Sequence, residues 1–373
     1  MKKIERREKQ IHIAVTGVFC LFIFGMAVLN LFAPKKDFSE NENRVLNPFP
    51  SVTVQNIFFG SFDTEFENWF SDHFAGRDNW IRRKASVRID LCAIDNNGVW
   101  LAKDQRLIQQ FLTYDEGTVS RNISYLQEFS EENDTKLNIL LVPGAYYGEQ
   151  EYLPFGAAGI DEKELIETIG AELSDQKYLD ITDAIRAIPD GYFRTDHHWN
   201  EKGAAIGYEL ICKEVLQKEP EPYTFTQVSD SFQGTMYSRS GVFWTPAEPV
   251  YRIDPETENP VAVTFENGTS MPSLYAEEHL QEKDKYTYYL DGNHGYEHIE
   301  TSVHNGKRAI VIKDSFAHIL LPFMAQEYET IDVFDLRYYT DSVSSFLLEC
   351  EPDVYVIYGL ETFCYDNSLA ALW

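Results

Sequence analysis

The run Arg308-Ala309-Ile310-Val311-Ile312-Lys313 is apolar between two basic ends and leads directly into Asp314-Ser315-Phe316. A continuous apolar stretch of this length, closed by a polar turn, fits a strand buried on both faces of a parallel sheet. The pattern recurs. Ile139-Leu140-Leu141-Val142 ends at Pro143-Gly144-Ala145-Tyr146-Tyr147, residues 330–336 end at Arg337-Tyr338-Tyr339, and residues 354–358 are a third case. Helical patterns lie between these runs, over residues 115–132, 162–173, 318–326 and 341–349. Strands alternating with helices at this spacing predict a parallel α/β sheet with helices on both faces. Such sheets bind ligands beyond the carboxyl ends of their strands, where Ser315, Tyr146, Arg337 and Tyr338 fall.

The second polar concentration is Phe193-Arg194-Thr195-Asp196-His197-His198-Trp199-Asn200. An extended reading of residues 195–198 places Asp196 and His198 on one side and turns His197 away. A carboxylate beside a histidine fixes its tautomer by accepting the Nδ1 proton. The free Nε2 can then take a proton from a serine hydroxyl, here that of Ser315. An Asp–His–Ser order is no obstacle, because the same geometry recurs in several chain orders. Asn200 reads as the N-cap of a helix over 201–216, with Ala205, Tyr208, Ile211 and Val215 on one face. The helix N-terminus favours a neutral imidazole, and the Ser315 N–H at its own turn offers an oxyanion donor. A metal site built from Asp196, His197 and His198, with His294 or His298, is the alternative chemistry. A purely structural role, with His packed on Trp and Asp capping the helix, is the third reading.

The chain has 60 acidic against 32 basic residues, a net charge of −28, which excludes a nucleic-acid surface. Its first ten residues carry Lys2, Lys3, Arg6, Arg7 and Lys9, and residues 11–33 are almost wholly apolar. That span is long enough to cross a bilayer of about 30 Å. Basic residues before it place residues 1–10 in the cytoplasm and residues from about 37 outward beyond the membrane. Its length, with no small-x-small site at its end, favours an uncleaved single-pass anchor over a signal peptide. Residues 34–54 read as a linker. Outside the span, Cys92, Cys212, Cys350 and Cys364 allow three disulfide pairings, although their apolar neighbours equally suit buried free thiols.

Two amphipathic helices are expected over 56–74 and 77–93, with Phe58, Phe62, Phe66, Trp69 and Phe70 as core or anchor residues. Short strands follow at 99–103 and 107–112. One extracytoplasmic domain is expected over 55–373, interrupted at about 219–300 by a proline- and tyrosine-rich insertion with strands at 261–265 and 286–290. Within it, the polar stretch 233–241 suits a cleft lining or a surface loop.

Asp196-His197-His198-Trp199 is the signature that names the DHHW protein family, and the chain resembles that family. It also resembles the SGNH-hydrolase-like proteins of alginate O-acetylation, in which an Asp-x-His-Trp motif precedes a serine-bearing turn. Glu40-Asn41-Glu42-Asn43-Arg44 and the Trp69…Asp72-His73-Phe74…Arg77-Asp78 segment carry the likeness upstream. The resemblance implies a flavodoxin-like three-layer α/β/α sandwich and action on acetyl esters of extracellular polysaccharide, as an O-acetyltransferase or an esterase. It implies Ser315 as nucleophile, His198 as base and Asp196 as orienting acid, without a cofactor or metal. Arg337, Tyr338, Tyr146, Trp199 and His197 are the candidate sugar contacts, and a membrane acyl-transfer protein is a candidate partner. Two departures stand out. Lys313 replaces the glycine that usually precedes Asp-Ser, and no Gly-x-Asn block supplies a side-chain oxyanion donor. A non-catalytic glycan-binding protein on the same fold is the alternative function.

Overall fold

The computed structural model describes residues 2–347 and 351–373; Cys350 and the end of the helix expected over 341–349 lie outside the described residues. The chain divides into two compact units, Met1–Leu91 and Cys92–Trp373. The domain boundary expected at residues 54/55 therefore falls inside the first unit.

The first unit opens with one helix, α1 (Lys2–Phe32), whose apolar stretch is uncovered and long enough to cross a membrane. The single helix expected over 56–74 is two: α2 (Val54–Phe59) and α3 (Phe62–Asp72). The break is at Gly60, whose extended backbone turns its N–H onto the Asn56 carbonyl. A Cβ there would lie 2.4–2.9 Å from Asn56 atoms, so the turn accepts only glycine. Helix α4 (Arg77–Asp90) follows. Asp72 is buried and anchors the unit. It accepts from the Arg44 guanidinium, from the Asn47 N–H at 2.9 Å and from Asn47 Nδ2 at 2.7 Å. The Arg44 hydrogen bond, against the opposing effect of burial, holds the Asp72 carboxyl well below its ordinary value. The core reading of the aromatic residues fails here: Phe58, Phe66 and Phe70 are exposed.

The second unit is built on an eight-stranded sheet. The strands of this sheet and of one hairpin beside it are, in chain order, β1 (Leu137–Val142), β2 (Lys177–Tyr178), then the hairpin β3 (Tyr223–Phe232) and β4 (Glu248–Pro255), which pair outside the sheet. After these come β5 (Val261–Phe265), β6 (Ser270–Met271), β7 (Tyr296–Thr301), β8 (Arg308–Lys313), β9 (Thr330–Phe334) and β10 (Asp353–Gly359). The sheet order is β6-β5-β7-β9-β8-β10-β1-β2. Strands β9, β8, β10, β1 and β2 run parallel, and β7, β5 and β6 extend one edge antiparallel. The segment expected as an insertion thus contributes three strands to the same sheet.

The apolar runs are continuous because each strand feeds two cores. On β8, Ala309 and Val311 enter one core while Ile310 and Ile312 enter the other. Helices α5 (Glu116–Glu132) and α6 (Glu162–Glu172) cover the second core through Leu126, Phe129, Ile166 and Ile169. Helix α7 (Glu201–Ile211) covers the first through Ala204, Tyr208 and Ile211. The result is a three-layer α/β/α arrangement around a mixed sheet, as the alternation of patterns predicts. One expected strand is absent. Residues Lys285–Tyr288 instead form a single 3-10 turn, begun by the Asp284 carboxylate accepting the Tyr286 N–H.

Candidate active site

Ser315 follows the carboxyl end of β8, the position parallel-sheet logic reserves for chemistry. The preceding Asp314 fixes the turn. Its N–H donates to the Ile357 carbonyl, and its carboxylate accepts the N–H groups of Phe316 at 2.9 Å and Gly359 at 3.0 Å. Burial raises the Asp314 carboxyl above its ordinary value, against the pull of those donors. Ser315 starts a one-turn helix, so its own N–H has no carbonyl to reach within that turn. Ser315 itself is only partly buried.

The Asp-His-His-Trp stretch is a closed loop. Tyr192 and Trp199 pair across it, and the Phe193 N–H bonds the His198 carbonyl. The carboxylate of Glu248 holds it from β4, accepting from the Arg194 N–H and from the N–H and hydroxyl of Thr195. Asn200 caps α7 as its position predicts, accepting from Lys202 and Gly203 N–H. Closure of the loop corrects the extended reading. His197 does not turn away; its ring lies 3.8 Å from that of His198, with Nδ1 2.8 Å from Thr235 Oγ1.

Across 117 residues the loop and the turn meet. Asp196 Oδ1 lies 2.6 Å from His198 Nδ1, and His198 Nε2 lies 2.7 Å from Ser315 Oγ. The other Asp196 oxygen accepts the Thr235 N–H at 2.7 Å and hydroxyl at 2.9 Å. Burial alone would raise the Asp196 carboxyl. The adjacent imidazoles and these donors outweigh it and hold the group well below its ordinary value. Desolvation, then the neighbouring His198, lowers His197 to about 4, so His197 is neutral near pH 7. The segment 233–241 therefore does more than line a surface: Gly234 and Thr235 back the carboxylate. A Cβ on Gly234 would lie 2.3 Å from Asp196 Oδ2.

Two features of the site are not readable from the sequence. Tyr286 stacks on the His198 ring, centroids 3.8 Å apart and planes 6° apart, and its hydroxyl donates to the Ser315 carbonyl at 2.8 Å. It belongs to a run of tyrosines with no spacing that singles it out. The second is the use made of Lys313. Its side chain is fully buried and donates to His318 Nε2 at 2.7 Å, with Asp335 at 3.6 Å and Glu297 at 3.9 Å. Lysine is accommodated at this turn because its side chain enters this buried charge group. Burial, with Lys313 next, keeps His318 neutral by lowering it well below its ordinary value.

The remaining candidate sugar contacts have different surroundings. Trp199 is fully buried, its Nε1 donating to the Phe316 carbonyl at 2.8 Å, so it is structural and meets no ligand. Arg337 is committed to Asp335, with Nε 2.8 Å and a second nitrogen 2.6 Å from its two oxygens. Tyr338 is exposed beside it. Tyr146, partly buried past the end of β1, packs against Gly159. Asp196, His197 and His198 bring ligand-type atoms within 4.8 Å of one another. However, both Asp196 oxygens and His198 Nδ1 are already engaged in the hydrogen bonds above. His294 and His298 pair with Asp291 and Asp332 instead. The thiols of Cys92, Cys212 and Cys364 are free, Cys92 exposed and the other two buried.

No curated protein matches this chain. Among solved structures, a DHHW family protein from Eubacterium siraeum aligns over 74% of this chain and 95% of its own, with 22% identity and a TM-score of 0.64. Bacillus cereus PatB1 bearing a sulfonyl adduct aligns over 72% and 97%, with 23% identity and a TM-score of 0.59. The O-acetyltransferase domain of Pseudomonas putida AlgJ aligns over 73% and 94%, with 14% identity and a TM-score of 0.48. At these identities the likeness is one of fold. The family comparison is more specific, matching residues 181–334 to the DHHW protein family. The matched stretch, residues 181–334, contains Asp196, His198 and Ser315 together.

Proposed function

We propose that this protein is a membrane-anchored, extracytoplasmic acyl-transfer enzyme of the SGNH-like kind, an O-acetyltransferase or acetylesterase acting on polysaccharide. One observation carries the reading: the unbroken line Asp196–His198–Ser315 at 2.6 and 2.7 Å, with the serine at the solvent-reached end. Ser315 Oγ attacks the acetyl carbonyl while His198 Nε2 takes its proton. Asp196 keeps the imidazole in the tautomer with hydrogen on Nδ1 and stabilises the imidazolium as it forms. The Ser315 N–H, at the start of its turn, is the donor offered to the developing oxyanion. The tetrahedral intermediate collapses, the leaving oxygen takes the proton from His198, and Ser315 retains the acetyl group. A sugar hydroxyl or water then gives its proton to His198 and attacks the acyl carbon; as this second intermediate collapses the bond to Ser315 Oγ breaks, and Oγ takes the proton back from His198.

The preference for acetyl esters of glycans rests on the sequence resemblance described above. PatB1, a protein of similar fold, has been seen with a sulfonyl adduct, which motivates a sulfonyl reagent as a probe here. The anchor reading rests on α1 and on the basic residues before its apolar stretch.

The test is Ser315→Ala against wild type. Wild type is expected to cleave a chromogenic acetate ester, and an aryl sulfonyl fluoride is expected to add its mass to the peptide containing Ser315. Ser315→Ala, with an unchanged melting temperature, is expected to lose both. A wild type inert in both assays, or equal labelling of the variant, overturns the proposal.

A further inference from the structure

We infer that the segment around α2 is a bilayer-surface element, its apolar side chains lying among the lipid headgroups and upper acyl chains of the outer leaflet. The inference rests on the reading of α1 as an anchor. None of the residues of α2 is buried. Phe49, Val52, Val54, Ile57, Phe58 and Phe59 are all exposed, Phe59 at 88%. No charged residue occurs between Arg44 and Asp63. A helix this short does not hold itself in water, even with Thr53 capping it. An uncharged apolar surface of this kind needs a cover. Along α3 the apolar row continues, as Phe62, Phe66 and Phe70 stack at four-residue spacing with centroids 6.1 Å apart.

The position of this surface next to α1 favours lipid as the cover. Asn30, near the end of α1, accepts the Ala75 N–H at 2.8 Å, just past α3. Lys35 donates to the Asn30 carbonyl at 3.1 Å and lies over the Trp69 ring at 5.0 Å. His73 Nε2 is 2.9 Å from the Lys36 carbonyl. With α1 in the bilayer, these contacts hold the end of α3 at the point where the chain leaves it. Trp69 and Trp80 there are the residue type enriched at that depth.

Charge agrees. Residues 34–91 contain 8 basic and 9 acidic residues, whereas residues 92–373 contain 19 and 49. An anionic leaflet repels the second composition and tolerates the first.

The test uses the full chain in phosphatidylcholine–phosphatidylglycerol nanodiscs, with exposed Cys20 and Cys92 replaced by alanine. Spin labels are attached at Phe58→Cys, Phe59→Cys, Glu67→Cys and, within the anchor, Leu21→Cys. Collision rates with lipid-soluble oxygen and with a water-soluble nickel complex are then compared. Labels at 58 and 59 are expected to favour oxygen several-fold over the label at 67, in the same sense as the label at 21. A label at 21 in lipid with 58 and 59 in water overturns this inference alone. Labels at 58 and 59 shielded from both reagents also overturn it, since a protein surface, either a second copy or a membrane partner, then covers the patch. A label at 21 in water overturns the anchor reading and this inference together. If Phe58→Cys is poorly produced, Val54→Cys reads the same face.

Discussion

The indole of Trp199 donates to the carbonyl of Phe316 at 2.8 Å, so the residue after His198 is bonded to the residue after Ser315. Both partners are buried, and the bond runs beside the His198–Ser315 contact rather than through it. The backbones of two segments far apart in the chain are thereby pinned at the level of the site. Such a bond fixes distance without touching a reacting atom, and distance is what proton transfer between His198 and Ser315 depends on.

Asp196→Asn is expected to keep the loop shape and lose the chemistry. An amide can still accept from Thr235, but its NH2 group then faces His198 Nδ1 and stabilises the wrong tautomer. A fall in kcat of about 10³–10⁴-fold is expected on an acetate ester, with little change in KM. Retention of activity within tenfold would remove Asp196 from the proposed mechanism.

Gly234→Ala probes the cradle behind that carboxylate. The added methyl would lie 2.3 Å from Asp196 Oδ2 and 2.5 Å from Asp196 Cβ, so the carboxylate or the 234–235 backbone must move. The expected result is a loss of about 1–3 kcal/mol of stability from overpacking, with a drop in kcat/KM. Thermal melts and steady-state kinetics on one preparation check both, and an unaffected variant would show the contact to be slack.

Lys313→Met keeps the length of the side chain and removes its charge. It leaves His318 Nε2 without its donor and takes a cation from beside the buried Asp335 carboxylate. Breaking a buried charge group in this way costs about 3–5 kcal/mol, readable by urea titration. Lys313→Gly, which restores the residue usual in related turns, is expected to be no more stable, because it removes the same charge and leaves a cavity.

Stability should fall as the medium becomes alkaline. Burial pushes Glu149, Glu162 and Glu297 up to about 8, from an ordinary value of 4.5. The folded state therefore keeps protons that the unfolded state releases above pH 4.5. The stabilising contribution of these groups is complete below that pH and is lost as pH rises to about 8. Each contributes a slope of up to about 1.4 kcal/mol per pH unit in that window. Glu162→Gln, which still accepts the Gly144 N–H, is expected to melt with a shallower decline between pH 5 and 9. A decline parallel to wild type would mean that Glu162 is ionised in the fold.

The sequence alone determined the alternation of buried parallel strands and helices. The reason is local: Ala309–Ile312 must face two cores, and only an unbroken apolar run does so. Asn200 before the pattern of α7 was equally legible, because capping is a short-range bond. Asp196, His198 and Ser315 were legible as residue types suited to one task. Tertiary structure decided their meeting, because the three stand on a closed loop and a strand end, 117 residues apart, that are joined only by long-range contacts. It also decided the orientation of His197, which loop closure sets against the alternation of an extended chain, and the burial of Trp199, which removes it from any ligand. Tyr286 and Lys313 owe their positions entirely to the fold. An aromatic ring beneath an imidazole and a cation within a buried charge group are defined by neighbours from remote strands, and no spacing along the chain encodes them.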